Sequence, residues 1–310
     1  MLTIGEIGER QLIEDFKSFL RPEGRIGPGD DAAVIGKDIV VTTDIVSFDR
    51  HMPAGMSYEQ FGWYAAAVNF SDLAAMGARP IGITTALALP PSLDAQAAYD
   101  IMSGIDQCAE FCGTGVIGGD TKPGPGIVAG TALGIMDGRC PMLRTGARPG
   151  DIVAVTGPLG GPAAGFTAID NGLDYQGAKE RLYMPIPRVA EGIILSESGV
   201  VSSCMDLSDG LGTALNTICE SSKVGIDVEF DFIPKEPFVA EISEKTGVSM
   251  EKLLLGWGGE YELLFTADPN RFKKLYDEDL EFSIIGMVND SGHPELVREG
   301  KRSIIGNGEY

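Results

Sequence analysis

The residues in this chain best suited to chemistry are aspartates that sit beside Gly, Ser or Thr where helices and strands are expected to end. They are Gly29-Asp30-Asp31, Thr42-Thr43-Asp44, Ser71-Asp72, Gly118-Gly119-Asp120 and Asp206-Leu207-Ser208-Asp209-Gly210. Mg2+ takes oxygen donors in near-octahedral geometry and keeps waters or phosphate oxygens in its shell, so carboxylates on short rigid loops suit it. Glycines beside them let phosphates approach backbone N–H groups. A lone Gly-Asp pair is ordinary turn chemistry; the recurrence carries the argument. Asp72 adds to it, because residues 65–77 are apolar and small, and a carboxylate there pays a desolvation cost unless it is paired or metal-bound.

Other chemistries are excluded. The chain of 310 residues carries 24 Lys+Arg against 45 Asp+Glu, a net charge of −21, the wrong sign for binding nucleic acid through its phosphates. Two histidines, His51 and His293, rule out a multi-histidine metal centre, and no GxSxG elbow presents a hydrolase serine. Five cysteines without a CxxC read as buried reduced thiols. GTGVIG at residues 113–118 matches a dinucleotide fingerprint, but it follows an expected helix and opens a strand, the reverse of the required order. A P-loop is absent. No apolar run is long enough to span a bilayer, and residues 1–19 carry acids rather than a basic region and an apolar stretch, which predicts no secretory leader and a cytoplasmic protein.

The elements that must position these aspartates alternate between strand and helix. A capping box at Thr3 and Glu6 predicts one opening helix to about residue 21, and residues 33–35 and 39–44 read as a hairpin. A second box, Ser57 with Gln60, starts a long helix over 59–77. Strands are expected at 81–89, 115–117 and 127–136, with a helix at 95–111 between the first two. A Gly/Pro/Arg-rich stretch at 140–151 marks a boundary between an N-terminal domain, 1–140, and a C-terminal α/β domain, 141–310. In the latter, helices are expected at 162–171, 187–197, 211–222 and 237–246, and strands at 152–156, 226–230, 261–266 and 282–288.

The runs GDDAAV (29–34), TTD (42–44), VNFSDLAAMGA (68–78), IGGDT (117–121), RTGARPGD (144–151), VTG (155–157), DLSDGL (206–211) and GGEYELL (258–264) resemble the thiamine-monophosphate kinase family of the aminoimidazole-ribonucleotide synthetase-like superfamily, in the family's order and over most of the chain. The resemblance implies a two-domain α/β (α+β) fold whose N-terminal sheets pair in a homodimer. It also implies transfer of the ATP γ-phosphoryl group to thiamine monophosphate, giving thiamine diphosphate and ADP. By the same resemblance Asp31, Thr42, Thr43, Asp44, Asp72, Asp120, Asp206 and Asp209 match ligands of several Mg2+ ions. Gly119, Asp120, Arg144 and Ser208 match ATP contacts, and His51 and Glu260 match the substrate side, where Tyr310 would cover the substrate ring by stacking.

Chemistry agrees with this reading. Joining two phosphates requires charge neutralisation and in-line positioning, and the attacking oxygen is already ionised, so no general base is expected. Arg144 offers a planar fork for two phosphate oxygens. GGEYEL stands where the family usually reads GGEDYEL, which leaves open a paralogue that phosphorylates a different acceptor. A selenophosphate synthetase or a hydrogenase-maturation dehydratase lacks its expected cysteine here. Two rival classes are a non-catalytic Mg-ATP-binding protein and a chain whose acids only solubilise it.

Overall fold

The computed structural model describes residues 3–20, 26–278 and 280–306. Twelve strands are present among these residues: β1 (Ala33–Ile35), β2 (Ile39–Ser47), β3 (Arg79–Leu89), β4 (Val116–Pro123), β5 (Ile127–Ile135), β6 (Ile152–Val155), β7 (Val201–Asp206), β8 (Gly225–Glu229), β9 (Leu263–Ala267), β10 (Ser283–Asn289), β11 (Pro294–Arg298) and β12 (Lys301–Ile304). They form a five-stranded sheet in the order β1-β2-β5-β3-β4 and a seven-stranded sheet in the order β12-β11-β8-β10-β6-β9-β7. Both sheets are mixed, since β3 runs parallel to β4 and β11 parallel to β8.

In the first sheet, burial alternates residue by residue along β5. Val128, Ala132 and their neighbours face helices, while Ile127, Leu133 and Ile135 face away. The buried face packs on the Tyr58–Ala75 helix, which also touches the Ala95–Phe111 and Val189–Ser198 helices and β7 of the second sheet. Apolar on every side, that helix is a buried core helix rather than a surface one. Its start is set by the Ser57–Gln60 capping box, which is fully formed. A second apolar core, built around Leu207, Leu215, Ile226 and Leu264, lies wholly within the seven-stranded half. No helix among the described residues is long and apolar enough to cross a membrane.

Several elements differ from expectation for identifiable reasons. The opening helix is two, Ile4–Ile7 and Glu9–Lys17, broken at Gly8, whose φ of 79° lies in the region glycine favours. Strand β4 runs to Pro123, far past residue 117, because pairing with β3 continues through the glycines. Strand β7, the Gln176–Tyr183 and Met250–Leu255 helices and the β11-β12 hairpin have too weak a periodicity to be read from sequence.

The helix carrying Asp72 approaches its neighbour very closely. A Cβ on Gly104 would lie 1.8 Å from the Glu59 carbonyl oxygen, and one on Gly62 would lie 2.0 Å from the Ile101 carbonyl oxygen. Gly104→Ala is therefore expected to cost about 1–3 kcal/mol and to lower the thermal midpoint by several degrees in a calorimetric scan. Gly115→Ala, at an open position with nothing within 4 Å, should leave the midpoint unchanged.

Candidate functional site

A cleft of about 680 Å³ opens between the two halves, lined by Asp31, Thr42, Asp44, Asp72, Arg144, Asp206, Ser208 and Asp209 among others. Three of these, Asp31, Asp72 and Asp206, bring carboxylate oxygens to within 4.8 Å of one another. They arrive from separate elements: the loop before β1, the core helix and the end of β7. Alternation along β2 puts Thr42 on the helix-facing side with Asp44, and Thr42 Oγ1 donates to Asp72 at 2.5 Å. The backbone N–H of Asp44 donates to the side-chain oxygen of Asn69 at 3.1 Å, and Asn69 in turn donates to the Ala65 carbonyl. Ser71 Oγ donates to Asp206 at 2.6 Å. Asn69 and Ser71 are both fully buried; sequence reasoning missed Asn69, and it named Ser71 beside Asp72 but not as the partner of Asp206. Both lie inside the run that contains Asp72, where apolar neighbours hid Asn69.

The electrostatics of the cluster follow from burial. Desolvation raises Asp31 to about 7 against the pull of Arg144, and raises Asp206 to about 6 against the hydrogen bond from Ser71. Burial raises Asp72 well above its ordinary value, with the charges of Asp206, Asp44 and Asp31 adding to it. Asp44 is raised by burial as well. One oxygen each of Asp31 and Asp206 is buried with no hydrogen-bond partner. Buried carboxylate oxygens left unpaired among like charges are the donors a hard divalent cation takes up, so the residues fit such an ion.

The other expected residues divide by position. Ser208 and Asp209 line the cleft. Arg144 does too, but its fork is spent on Asp31, at 3.0 and 2.5 Å, while its backbone N–H donates to Asp30 at 2.9 Å. Thr43, on the alternate face of β2, also lines the cleft, and its hydroxyl donates to the Gly130 carbonyl. His51 accepts from the Ser47 N–H through Nδ1, which leaves Nε2 as the protonated nitrogen, and burial lowers its pKa. Gly119 and Asp120 lie on the edge strand β4, three strands from β2, where Asp120 is exposed and pairs with Lys122 at 3.1 Å. Glu260 is outside the cleft lining. Its buried carboxyl accepts from the Gly160 N–H at 2.6 Å, at the head of the Gly161–Asp170 helix, and burial pushes its pKa up to about 8. Tyr310 lies outside the described residues.

Beside the acidic cleft is a second hollow of about 290 Å³, walled by Met52, Pro162, Phe166 and Trp257, with the two ring centroids 4.7 Å apart. Arg50, His51, Tyr64 and Ser208 line both spaces. The combined site is acidic at one end and walled by aromatic rings at the other.

Comparison with known proteins matches residues 29–136 to the N-terminal domain, and residues 148–299 to the C-terminal domain, of AIR synthase related proteins. The thiamine-monophosphate kinase of Methanopyrus kandleri is 34% identical over 294 residues, covering 94% of this chain and 92% of the relative. That of Pyrococcus abyssi is 32% identical over 289 residues, covering 92% and 89%. Among solved structures, AaThiL complexed with AMPPCP and TMP superposes with a TM-score of 0.87 at 27% identity, covering 98% of this chain and 97% of that one.

Linkage fixes the sign of a pH effect. A carboxyl whose folded pKa is raised holds its proton longer in the folded chain than in the unfolded one, so its contribution to stability falls as pH rises between the two values. In chelator, the stability difference between wild type and Asp31→Asn is expected to shift against wild type from pH 3.8 to about 7. Chemical denaturation at several pH values measures it, and a difference independent of pH would refute the buried, raised carboxyl.

Proposed function

Because the chain belongs to the thiamine-monophosphate kinase family, we propose that it transfers the γ-phosphoryl group of ATP to thiamine monophosphate, giving thiamine diphosphate and ADP. The observation that carries this reading is the triad Asp31, Asp72 and Asp206, two of them buried and Asp72 half-buried, on a cleft continuous with an aromatic hollow. Such a site matches a substrate with a phosphate at one end and flat rings at the other.

In the reaction, an oxygen of the acceptor phosphate forms a bond to the γ-phosphorus as the bond from that phosphorus to the β-phosphate oxygen breaks, and ADP departs with the electron pair. Asp31, Asp72 and Asp206, with Asp44 and Asp209 also lining the cleft, would hold Mg2+, which would supply neutralisation of charge on the phosphoryl oxygens. The chain's own part is placement. Thr42 and Ser71 orient Asp72 and Asp206, Asn69 holds the backbone of Asp44, and Arg144 is poised to exchange part of its hold on Asp31 for a phosphate oxygen. His51, neutral with Nε2–H as donor, faces the acceptor where its phosphate meets its rings. No side chain takes up a proton, consistent with an acceptor oxygen ionised near neutral pH.

We further infer a cytoplasmic homodimer. The outer face of the first sheet presents Ile35, Ile45 and Ile117, 55%, 63% and 59% exposed, beside Ile127, Leu133 and Ile135. A contiguous apolar face of this kind is characteristic of an interface. Pairing there offers a route for Gly119 and Asp120 to reach a site. Within one chain, three interstrand steps of about 4.8 Å separate their strand from β2.

Two measurements test these readings. The purified chain with Mg2+, ATP and thiamine monophosphate should form ADP and thiamine diphosphate in equal amounts, with loss of at least a hundredfold in Asp44→Ala and Asp72→Ala; binding of ATP with no thiamine diphosphate formed would sink the acceptor. Sedimentation should give twice the chain mass for wild type and a monomer for Ile45→Asp, whereas a monomeric wild type would remove the dimer.

A further inference from the structure

The mechanism above leaves unused two tyrosines at the boundary between the acidic cleft and the aromatic hollow. Tyr64 lies on the core helix, four and eight residues before Val68 and Asp72, and all three line the cleft. Tyr261 follows the Gly258-Gly259 loop with φ of 53°, a conformation that a bulky aromatic residue adopts at a cost. That conformation is held from several sides. The Gly259 N–H donates to the Ser208 carbonyl at 2.8 Å and the Tyr261 N–H to the Leu207 carbonyl at 3.2 Å. Glu260 is tied to Gly160, and Glu262 to Arg188 through both of its oxygens and to Thr156. The scaffold delivers one result: the Tyr261 hydroxyl meets the Tyr64 hydroxyl at 3.0 Å, with the rings edge to face at 5.9 Å.

A pair of hydroxyls has two protons and needs only one for the bond between them. Neither makes another hydrogen bond among the described residues. Burial raises both phenols above their ordinary value, so both keep their protons at working pH. One O–H is therefore left for a ligand. Tyr64 alone of the two lines both spaces, with the His51 ring at 6.2 Å.

We propose that the Tyr64–Tyr261 hydroxyl pair is an acceptor-specificity element, donating one hydrogen bond to the phosphorylated acceptor where its apolar body joins its phosphate. This rests on the kinase reading and adds to it a fixed neutral donor. A fixed donor of this kind discriminates strongly, because an acceptor unable to receive the bond leaves a buried hydroxyl unpaired.

Tyr64→Phe and Tyr261→Phe keep ring, volume and edge-to-face contact while removing one oxygen each. Each is expected to raise KM for thiamine monophosphate about tenfold or more. KM for ATP, kcat at saturating acceptor and the thermal midpoint should stay near wild type, the pattern of lost uniform binding. The double variant should be no worse than the worse single one, because the two hydroxyls act as a unit. Unchanged KM for thiamine monophosphate in both variants overturns the proposal. Parallel shifts in both KM values and in the midpoint also overturn it, by assigning the pair to structure alone. A wild type that turns over ATP but makes no thiamine diphosphate overturns the kinase reading and this element with it, whereas an active wild type with indifferent variants overturns this element only.

Discussion

Three carboxylates that repel one another are buried in one place, and much of the architecture follows from keeping them there. Asp31, Asp72 and Asp206 come from three distant stretches of chain, and neither half of the molecule holds all three. Without an ion they are tolerated by partial neutralisation. Arg144 covers one oxygen of Asp31, while hydroxyls of Thr42 and Ser71 cover single oxygens of Asp72 and Asp206. Of the remaining oxygens, one on Asp31 and one on Asp206 are buried without a partner. A fold optimised only for stability would not leave them so, since an unpaired buried carboxylate oxygen costs more than any of these contacts returns.

Holding the triad demands a rigid support, and the core helix provides it through small residues. Ala65, Ala66, Ala67, Ala74 and Ala75 let it approach the sheet and two other helices at short range. The partners are glycines at the closest points: a Cβ on Gly192 would lie 2.1 Å from the Ala74 carbonyl oxygen, and one on Gly130 would lie 2.4 Å from the Asn69 amide nitrogen. The second contact lets Asn69 reach across to β2 and fix the backbone of Asp44. Tight packing and metal chemistry are thus one specification, because a helix displaced by the width of a methyl group would carry Asp72 with it.

Much of this was legible in the amino-acid order. Most of the aspartates beside Gly, Ser and Thr line the cleft, Asp120 on the edge strand being an exception, and the Ala95–Phe111 helix stands where it was expected. Long-range effects were not legible. Nothing local distinguishes Ser71 as the partner of a residue 135 positions away, and nothing in GGEYEL says that Glu260 turns to a helix head in its own half rather than to the cleft. Strand β4 failed for the complementary reason: its glycines carry no strand propensity, and only β3 alongside makes them extended.

The placement of Arg144 has a consequence for how the two halves are joined. Its ion pair with Asp31, like the bond from Ser71 to Asp206, bridges the halves across the cleft. These contacts act as non-covalent rivets sunk in the reaction chamber itself. A chain split in the connection between the sheets would leave each fragment with a surplus of bare acids on its raw surface and no partner for them. Reassembly of such fragments would have to bring those acids together against their mutual repulsion, with the Arg144–Asp31 pair and the Ser71–Asp206 bond drawing the halves together, so that the functional pocket is also the seam of the protein.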